Sequence, residues 1–511
     1  MRENLLTPKS FFLMGLMSIF GACSNDDDRT PIVQPEPEPM PSVAPPADFT
    51  ALTNDNKVFY FNAKDLKSPV KSYSITGLQS GENIISIDYR PATGQLYGLG
   101  STSRLYIINE NSGLATPLGA APFSPVIEGT SSSIDFNPTV DRVRLISNNG
   151  KNLRLHPELG TVAATDGSLN GVANTQVEAI AYTNSISGST TTQLFDIDYT
   201  TDKLYLQNPP NNGTLEEVGS LKVDFSGVGG FDIQPESNLG MAVNNKNNES
   251  RLYTINLMNG EATWIGVFTQ QIVEIAFKSK PIAYATTATN SLYRLNPVTG
   301  TSSSVALTGM NTSEEIVGLD FRPANGALYA VTNQSRLLTV NPSNGQVTAV
   351  GTGLTPMLSG QYFGFDFNPT VDRIRLVSNT GQNLRLNPDT GVVAATDGTL
   401  NPGMPSVSAA AYTNNFAQAS STQLFVIDSG NNNLYLQNPP NIGTLTLVGS
   451  LGITTTGMNG FDIGGNSSEA FALLTVNNVQ SIYKINLTTG TATKTVDFSP
   501  AVTSMTLGLG F

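Results

Sequence analysis

The sequence predicts an all-β protein made of tandem β-propellers, most simply two five-bladed rings of four-stranded blades. Three observations predict it: a whole-domain repeat, a shorter period inside each copy, and a composition suited to short strands and tight turns. The long repeat is the plainest. Asp135-Phe-Asn-Pro-Thr-Val-Asp-Arg-Val-Arg-Leu-Ile-Ser-Asn148 returns as Asp366-Phe-Asn-Pro-Thr-Val-Asp-Arg-Ile-Arg-Leu-Val-Ser-Asn379, 231 positions later. The match continues through Asn152-Leu-Arg-Leu and Asn383-Leu-Arg-Leu, then Leu204-Tyr-Leu-Gln-Asn-Pro-Pro and Leu434-Tyr-Leu-Gln-Asn-Pro-Pro. A duplication of this length makes each half a similar folded unit. It also means that chemistry present in one copy alone is not the shared function.

Within each half, apolar strand-like runs begin near Thr50, Leu96, Val143, Leu194 and Gly240, and again near Ile282, Leu328, Ile374, Leu424 and Ala470. An interval of roughly 42 to 50 residues suits a four-stranded propeller blade. One unit shows the pattern: Leu96-Tyr-Gly-Leu, Arg104-Leu-Tyr-Ile-Ile, Ala115-Thr-Pro-Leu and Ser133-Ile-Asp-Phe, with Gly or Asn at the junctions. Asn256-Leu-Met-Asn-Gly260, Asn296-Pro-Val-Thr-Gly300 and Asn486-Leu-Thr-Thr-Gly490 read as hairpin turns with glycine supplying positive φ. Asp88-Tyr-Arg-Pro and Asp135-Phe-Asn-Pro are expected to end the fourth strand, with the aspartate bonding the turn backbone. Five blades per half follow, over residues 48–279 and 280–511. A single ten-bladed ring is the alternative.

Charged residues make up only 13% of the chain, and the formal charge is −13. Nucleic-acid binding, which needs clustered lysine and arginine, is thereby excluded. The N-terminus reads as a leader over 1–22: Arg2 and Lys9, then an apolar stretch from Phe11 to Ala22 that is too short to span a bilayer. Phe20-Gly-Ala-Cys23 resembles a bacterial lipobox, with Phe20 where an aliphatic residue is usual. Cys23, the only cysteine, is therefore the expected lipidation site, tying the chain to a membrane through its acyl groups. Ser24 after it resembles outer-membrane sorting, and Asp26-Asp27-Asp28 resembles the surface-export signal of Bacteroidetes lipoproteins. The remainder of 23–47 is a proline- and glutamate-rich spacer, extended rather than core-forming. With no second cysteine, the folded part relies on packing alone.

The arginine hairpin is the most unusual local feature. If Asn148-Asn149-Gly150 is the loop, Arg142, Arg144, Asn152 and Arg154 share one face, and Arg144 lies opposite Arg154. The second copy places Arg373, Arg375, Asn383 and Arg385 likewise. Two guanidinium groups about 4 Å apart repel by roughly 4 kcal/mol at an effective dielectric of about 20. An anion must therefore sit beside them. The internal candidates are Asp135, Asp141 or Asp166, and Asp366, Asp372 or Asp397. The functional candidate is a bound carboxylate, sulfate or acidic sugar.

Other chemical signals are thin. His156, the only histidine, becomes Asn387 in the second copy, so it belongs to no shared triad or metal site. Without Cys or His clusters, zinc and copper are not expected. No cofactor is implied, and calcium on Asp and carbonyl groups, for example around Asp166-Gly167, stays open. Asp196 and Asp198 resemble a glycosidase pair only superficially, because Val426 replaces Asp196. Tyr97, Tyr205, Tyr253 and Trp264 could stack on sugars, although their places on strands favour core packing.

The motif order F-N-P-T-V-D-R-[VI]-R-L-[IV]-S-N, N-L-R-L, L-Q-N-P-P-N and G-F-D-I, in both halves, resembles the bacterial DUF4394 domain, a family of unknown function. The resemblance implies a repeat-built β domain and carries over no catalytic residue. The expected function is a non-catalytic binding or scaffold module for an extracellular protein or glycan, held at the outer-membrane surface. The alternative is an extracellular propeller enzyme, a hydrolase or lyase acting on a sugar, polysaccharide or lactone.

Overall fold

The computed structural model describes residues 40–511 apart from Pro281 and Met458. The leader, Cys23 and most of the spacer lie outside the described residues. The described chain folds into ten four-stranded antiparallel sheets, with two single 3₁₀ turns, Pro210–Asn212 and Pro440–Ile442, as its helical content. No helix among the described residues is long and apolar enough to cross a membrane.

We number the sheets as blades 1–5 in the first half and 6–10 in the second. Their first strands are Ile272–Ala276, Ile84–Tyr89, Ser132–Asn137, Val177–Tyr182 and Phe231–Ile233, then Val502–Leu507, Ile316–Phe321, Phe363–Asn368, Val407–Tyr412 and Gly460–Ile463. Blade 1 is completed from afar: Asp48–Thr53 pairs with Ile272–Ala276, setting Thr50 opposite Ala276. Blade 6 is completed in the same way by Val502–Leu507 against Ala283–Thr287. These pairings join the two ends of each half by backbone hydrogen bonds.

The cores lie between blades. Tyr97, Leu99 and Leu105 of blade 2 pack on Ile134, Phe136 and Val143 of blade 3, with the Tyr97 and Phe136 rings edge-on at 5.0 Å. Similar apolar layers separate the other neighbours. Phe49 and Ala51 of blade 1 pack on Met241 and Val243 of blade 5. Ala283 and Ala285 of blade 6 pack on Phe471 and Leu473 of blade 10. The packing order therefore returns to its start within each half, the arrangement of two five-bladed propellers rather than of one ten-bladed ring. Strands inside a blade face apolar neighbours on both sides, which is why Leu96–Gly100 is buried at every position. The outer strand Val162–Thr165 is exposed at alternate residues.

One expectation is corrected. The Asp88-Tyr-Arg-Pro and Asp135-Phe-Asn-Pro segments do not close the fourth strand of a blade. They form the first strand of the next, and the following proline begins the turn into the second. The apolar pattern shows where strands lie, but not which blade a strand joins.

The halves touch each other. The Gly510 amide donates to Thr93 O at 2.8 Å, the Tyr284 hydroxyl to Ala92 O at 2.8 Å, and the Asn466 amide to Glu110 at 2.7 Å. The end of the spacer is also docked. Ser42 N donates to Trp264 O at 2.9 Å, and Ala47 is buried against Phe49 and Phe61.

Candidate functional site

The hairpin of blade 3 forms as its sequence indicates. Arg154 pairs with Arg144 and Leu153 with Leu145, and Gly150 takes φ +87° in the loop. The anion beside the arginines is Asp166. It accepts from Arg144 Nη1 at 2.6 Å and, through both oxygens, from Arg154 at 2.7 and 2.8 Å. Arg144 is 1% exposed and also donates to Asn152 Oδ1 and Asn211 Oδ1 at 2.7 Å, the latter reaching blade 4. Burial alone would raise the Asp166 pKa, but the Arg154 and Arg144 bonds outweigh it and hold the carboxylate below its ordinary range. Arg375, Arg385, Asn383 and Asp397 repeat the network with Asn441. Arg142 and Arg373 stand at its edge, each donating to a neighbouring backbone carbonyl at 2.8 Å. Asp141 serves Arg90 instead.

Asp135 lies elsewhere, at the axis. Asp88, Asp135 and Asp232, from the first strands of blades 2, 3 and 5, converge so that one carboxylate oxygen from each lies within 4.8 Å of the others. Asp320, Asp366 and Asp462 do the same in the second half. Each aspartate reaches the next blade. Asp88 accepts from Phe136 N at 2.7 Å, Asp135 from Tyr182 N at 3.0 Å and Asp232 from Phe277 N at 2.5 Å. Asp320, Asp366 and Asp462 accept likewise from Phe367, Tyr412 and Leu507. The inner strand of a blade has no further strand to pair with, and these carboxylates satisfy amide donors along that edge.

Burial, and then the neighbouring carboxylates, push Asp88 and Asp135 well above the usual carboxylate range, and burial raises Asp232 to about 7. Glu274, two residues before Ala276 in blade 1, is pushed up to about 8, chiefly by burial. In the second half Thr506 occupies the axial position, 2.9 Å from Asp320 and 2.8 Å from Asp462. One hydroxyl proton satisfies one carboxylate, so the other contact requires a protonated carboxyl group. Held protons or a bound cation would neutralise each trio, and its all-oxygen donor set suits calcium rather than zinc. Asp166, already engaged by two arginines, is not such a site. Asp88 and Asp135 could be mistaken for turn residues because their role depends on blade order. The readable signal was an aspartate before an aromatic or isoleucine in three blades of each half.

Asp196 is a different case. Its carboxyl group is fully buried in blade 4, neither oxygen has a hydrogen-bond partner, and burial pushes its pKa well up. The second copy solves the same packing problem with buried Val426. Leaving a buried polar group unsatisfied costs about 1–3 kcal/mol. Asp196→Val is therefore expected to stabilise the protein by about that amount, read as a higher urea midpoint, and Val426→Asp to lower the midpoint. Tyr97, Tyr205 and Tyr253 are buried in the core. Trp264 is half-buried beneath the Arg251 guanidinium, 5.2 Å from its ring centre.

Blade architecture and the doubled axial site define a repeat-built β-propeller class. The sequence matches the family described as Domain of unknown function (DUF4394) over residues 57–276 and 291–507, and the chain belongs to that family. Residues 206–357 also match a Repeat of unknown function (DUF6923). No curated protein matches the chain.

Proposed function

We propose that the chain is a lipid-anchored surface module that binds an extracellular protein or glycan without turning it over. One observation supports the non-catalytic reading: the charged groups common to both halves are bonded to the protein itself. Arg144 and Arg375 are held by Asp166 and Asp397, and the axial aspartates accept backbone amides of the adjoining blade. A general acid–base pair would need a carboxylate free to meet its substrate. The loops at the blade ends then form the recognition surface, and two copies on one tether favour multivalent capture. Cys23, read as the acylated residue of a Bacteroidetes-type outer-membrane lipoprotein, would place both propellers outside the cell.

The soluble chain beginning after Cys23 is expected to bind a defined glycan or a purified surface polysaccharide saturably on an array, with no release of product. Turnover lost in Asp135→Asn and Asp366→Asn variants would instead establish an extracellular hydrolase or lyase. Cys23→Ser is expected to move the full-length protein from the outer-membrane fraction to the soluble fraction. Unchanged fractionation would overturn the anchor.

A further inference from the structure

The two halves diverge most informatively at the mouth of the axial channel. In the first half a cavity of about 180 Å³ opens there, among the leading ends of the first strands. Its polar wall consists of acceptor-rich groups: Glu178, Glu274, Ser131, Ser132, Asn54 and Asn83. Ile84, Ile85, Val228 and Val273 form its apolar wall, and among the described residues no lysine, arginine or histidine lines it. Glu274 is 4% exposed and bonded to Ser86 at 2.8 Å, while Glu178 is half-buried and held by Ser131. Both carboxylates therefore have fixed positions.

The second copy lacks these features. Ser408 replaces Glu178, Ser504 replaces Glu274, and Tyr362 and Asn459 replace Ser131 and Gly229. Ser408 accepts from Asn459 at 2.8 Å, and Ser504 bonds to Thr286 at 2.7 Å, so the polar groups at this mouth satisfy one another. The Tyr362 ring, at the start of blade 8, reaches Gly457 ahead of blade 10, two blades along. A β-carbon on Gly457 would fall 2.1 Å from that ring. One duplicated mouth is crossed by an aromatic ring and has Glu315 in the place of Asn83, whereas the other is open and carries Glu178 and Glu274.

We propose that the first-half mouth is a binding site for a small organic cation, an ammonium group carried on a compact apolar body. Glu178, with the hydroxyl and amide acceptors, recognises the charged end, and the bound cation favours release of the Glu274 proton to solvent. The four aliphatic side chains cover the body. An inorganic ion alone would leave this apolar wall without a partner, and an anion would face Glu178 without a counter-charge. A void of about 150 Å³ accommodates benzene, so the space suits a ligand of about that size or slightly larger. This site goes beyond the binding-module reading and is independent of it: a glycan or protein held by the outer loops would not compete here.

The test uses the soluble chain and three probes of one shape: benzylammonium, benzyl alcohol and benzoate. Titration calorimetry should show saturable binding of benzylammonium at one site per chain. Benzyl alcohol should bind at least about tenfold more weakly, and benzoate not at all. The double variant Glu178→Gln, Glu274→Gln should weaken benzylammonium binding by at least about tenfold. Ser131→Tyr, which installs the ring found in the other copy, should abolish it while leaving thermal unfolding intact. The proposal is overturned if benzylammonium does not saturate below about 10 mM, the range of weak millimolar binding. It is equally overturned if the neutral or anionic probe binds as tightly, or if the folded Ser131→Tyr protein still binds.

Discussion

Replacing Arg90 with alanine is expected to destabilise the folded chain by about 3–5 kcal/mol, the range for breaking a buried ion pair by removing one partner. Its side chain is fully buried, pairs with Asp141 and Glu158, and donates to Gly326 O of the other half at 3.0 Å. Burial works against the charge, but the two carboxylates outweigh it and keep the guanidinium protonated. Removing it strands buried Asp141 and cuts a bond between the halves. Arg322, its counterpart, provides the control within the same molecule. It pairs with Asp372 and Asp389, whose side chains are 35% and 63% exposed, and no other half covers it to the same extent. Arg322 is itself only 11% exposed but its partners stay hydrated when it is removed, so Arg322→Ala should cost less, about 1–3 kcal/mol. Chemical denaturation of the two variants checks the contrast. Equal losses would show that contact between the halves adds nothing to the Arg90 cluster.

The axial carboxylates should make the protein more stable in mild acid than in mild base. Asp232, Asp462 and Glu274 have pKa values pushed up to about 7, 6 and 8, chiefly by burial. The folded chain thus keeps protons that the unfolded chain releases above about pH 4. Their contribution is fully present below that pH and is lost as the pH rises through 6 to 8. The slope is about 1.4 kcal/mol per pH unit for each group still holding its proton. Asp166 and Asp397 act with the opposite sign. Their lowered pKa values stabilise the fold above about pH 4, and that stability is lost on further acidification. Tm should therefore peak in mild acid and fall towards pH 8. Asp232→Asn, which is neutral at every pH, should flatten the descent. Calcium chloride that raises Tm at pH 8 and removes the slope would show that a cation, not protons, neutralises the trios.

Much of the fold was legible along the chain. A strand buried on both faces needs a continuous apolar run, and Leu96–Gly100 and Leu194–Asp198 follow that rule apart from the polar Asp196 and Asp198. The arginine hairpin was legible too, because its loop sets its register. Asp166 stood among three candidate anions, and only the three-dimensional path of the chain selects it.

What the sequence determined by itself is local or repeated: the duplication, the number of blades per half, the turns and the facing arginines. These depend on spacing and on side chains a few residues apart. Tertiary structure alone decided that Asp88, Asp135 and Asp232 meet at an axis, that Gly326 covers Arg90, and that one channel mouth is open while its copy is crossed by Tyr362. The physical reason is that each depends on chain segments from separate blades. Burial and charge at such a meeting point are properties of the assembled neighbours, and no single strand carries them.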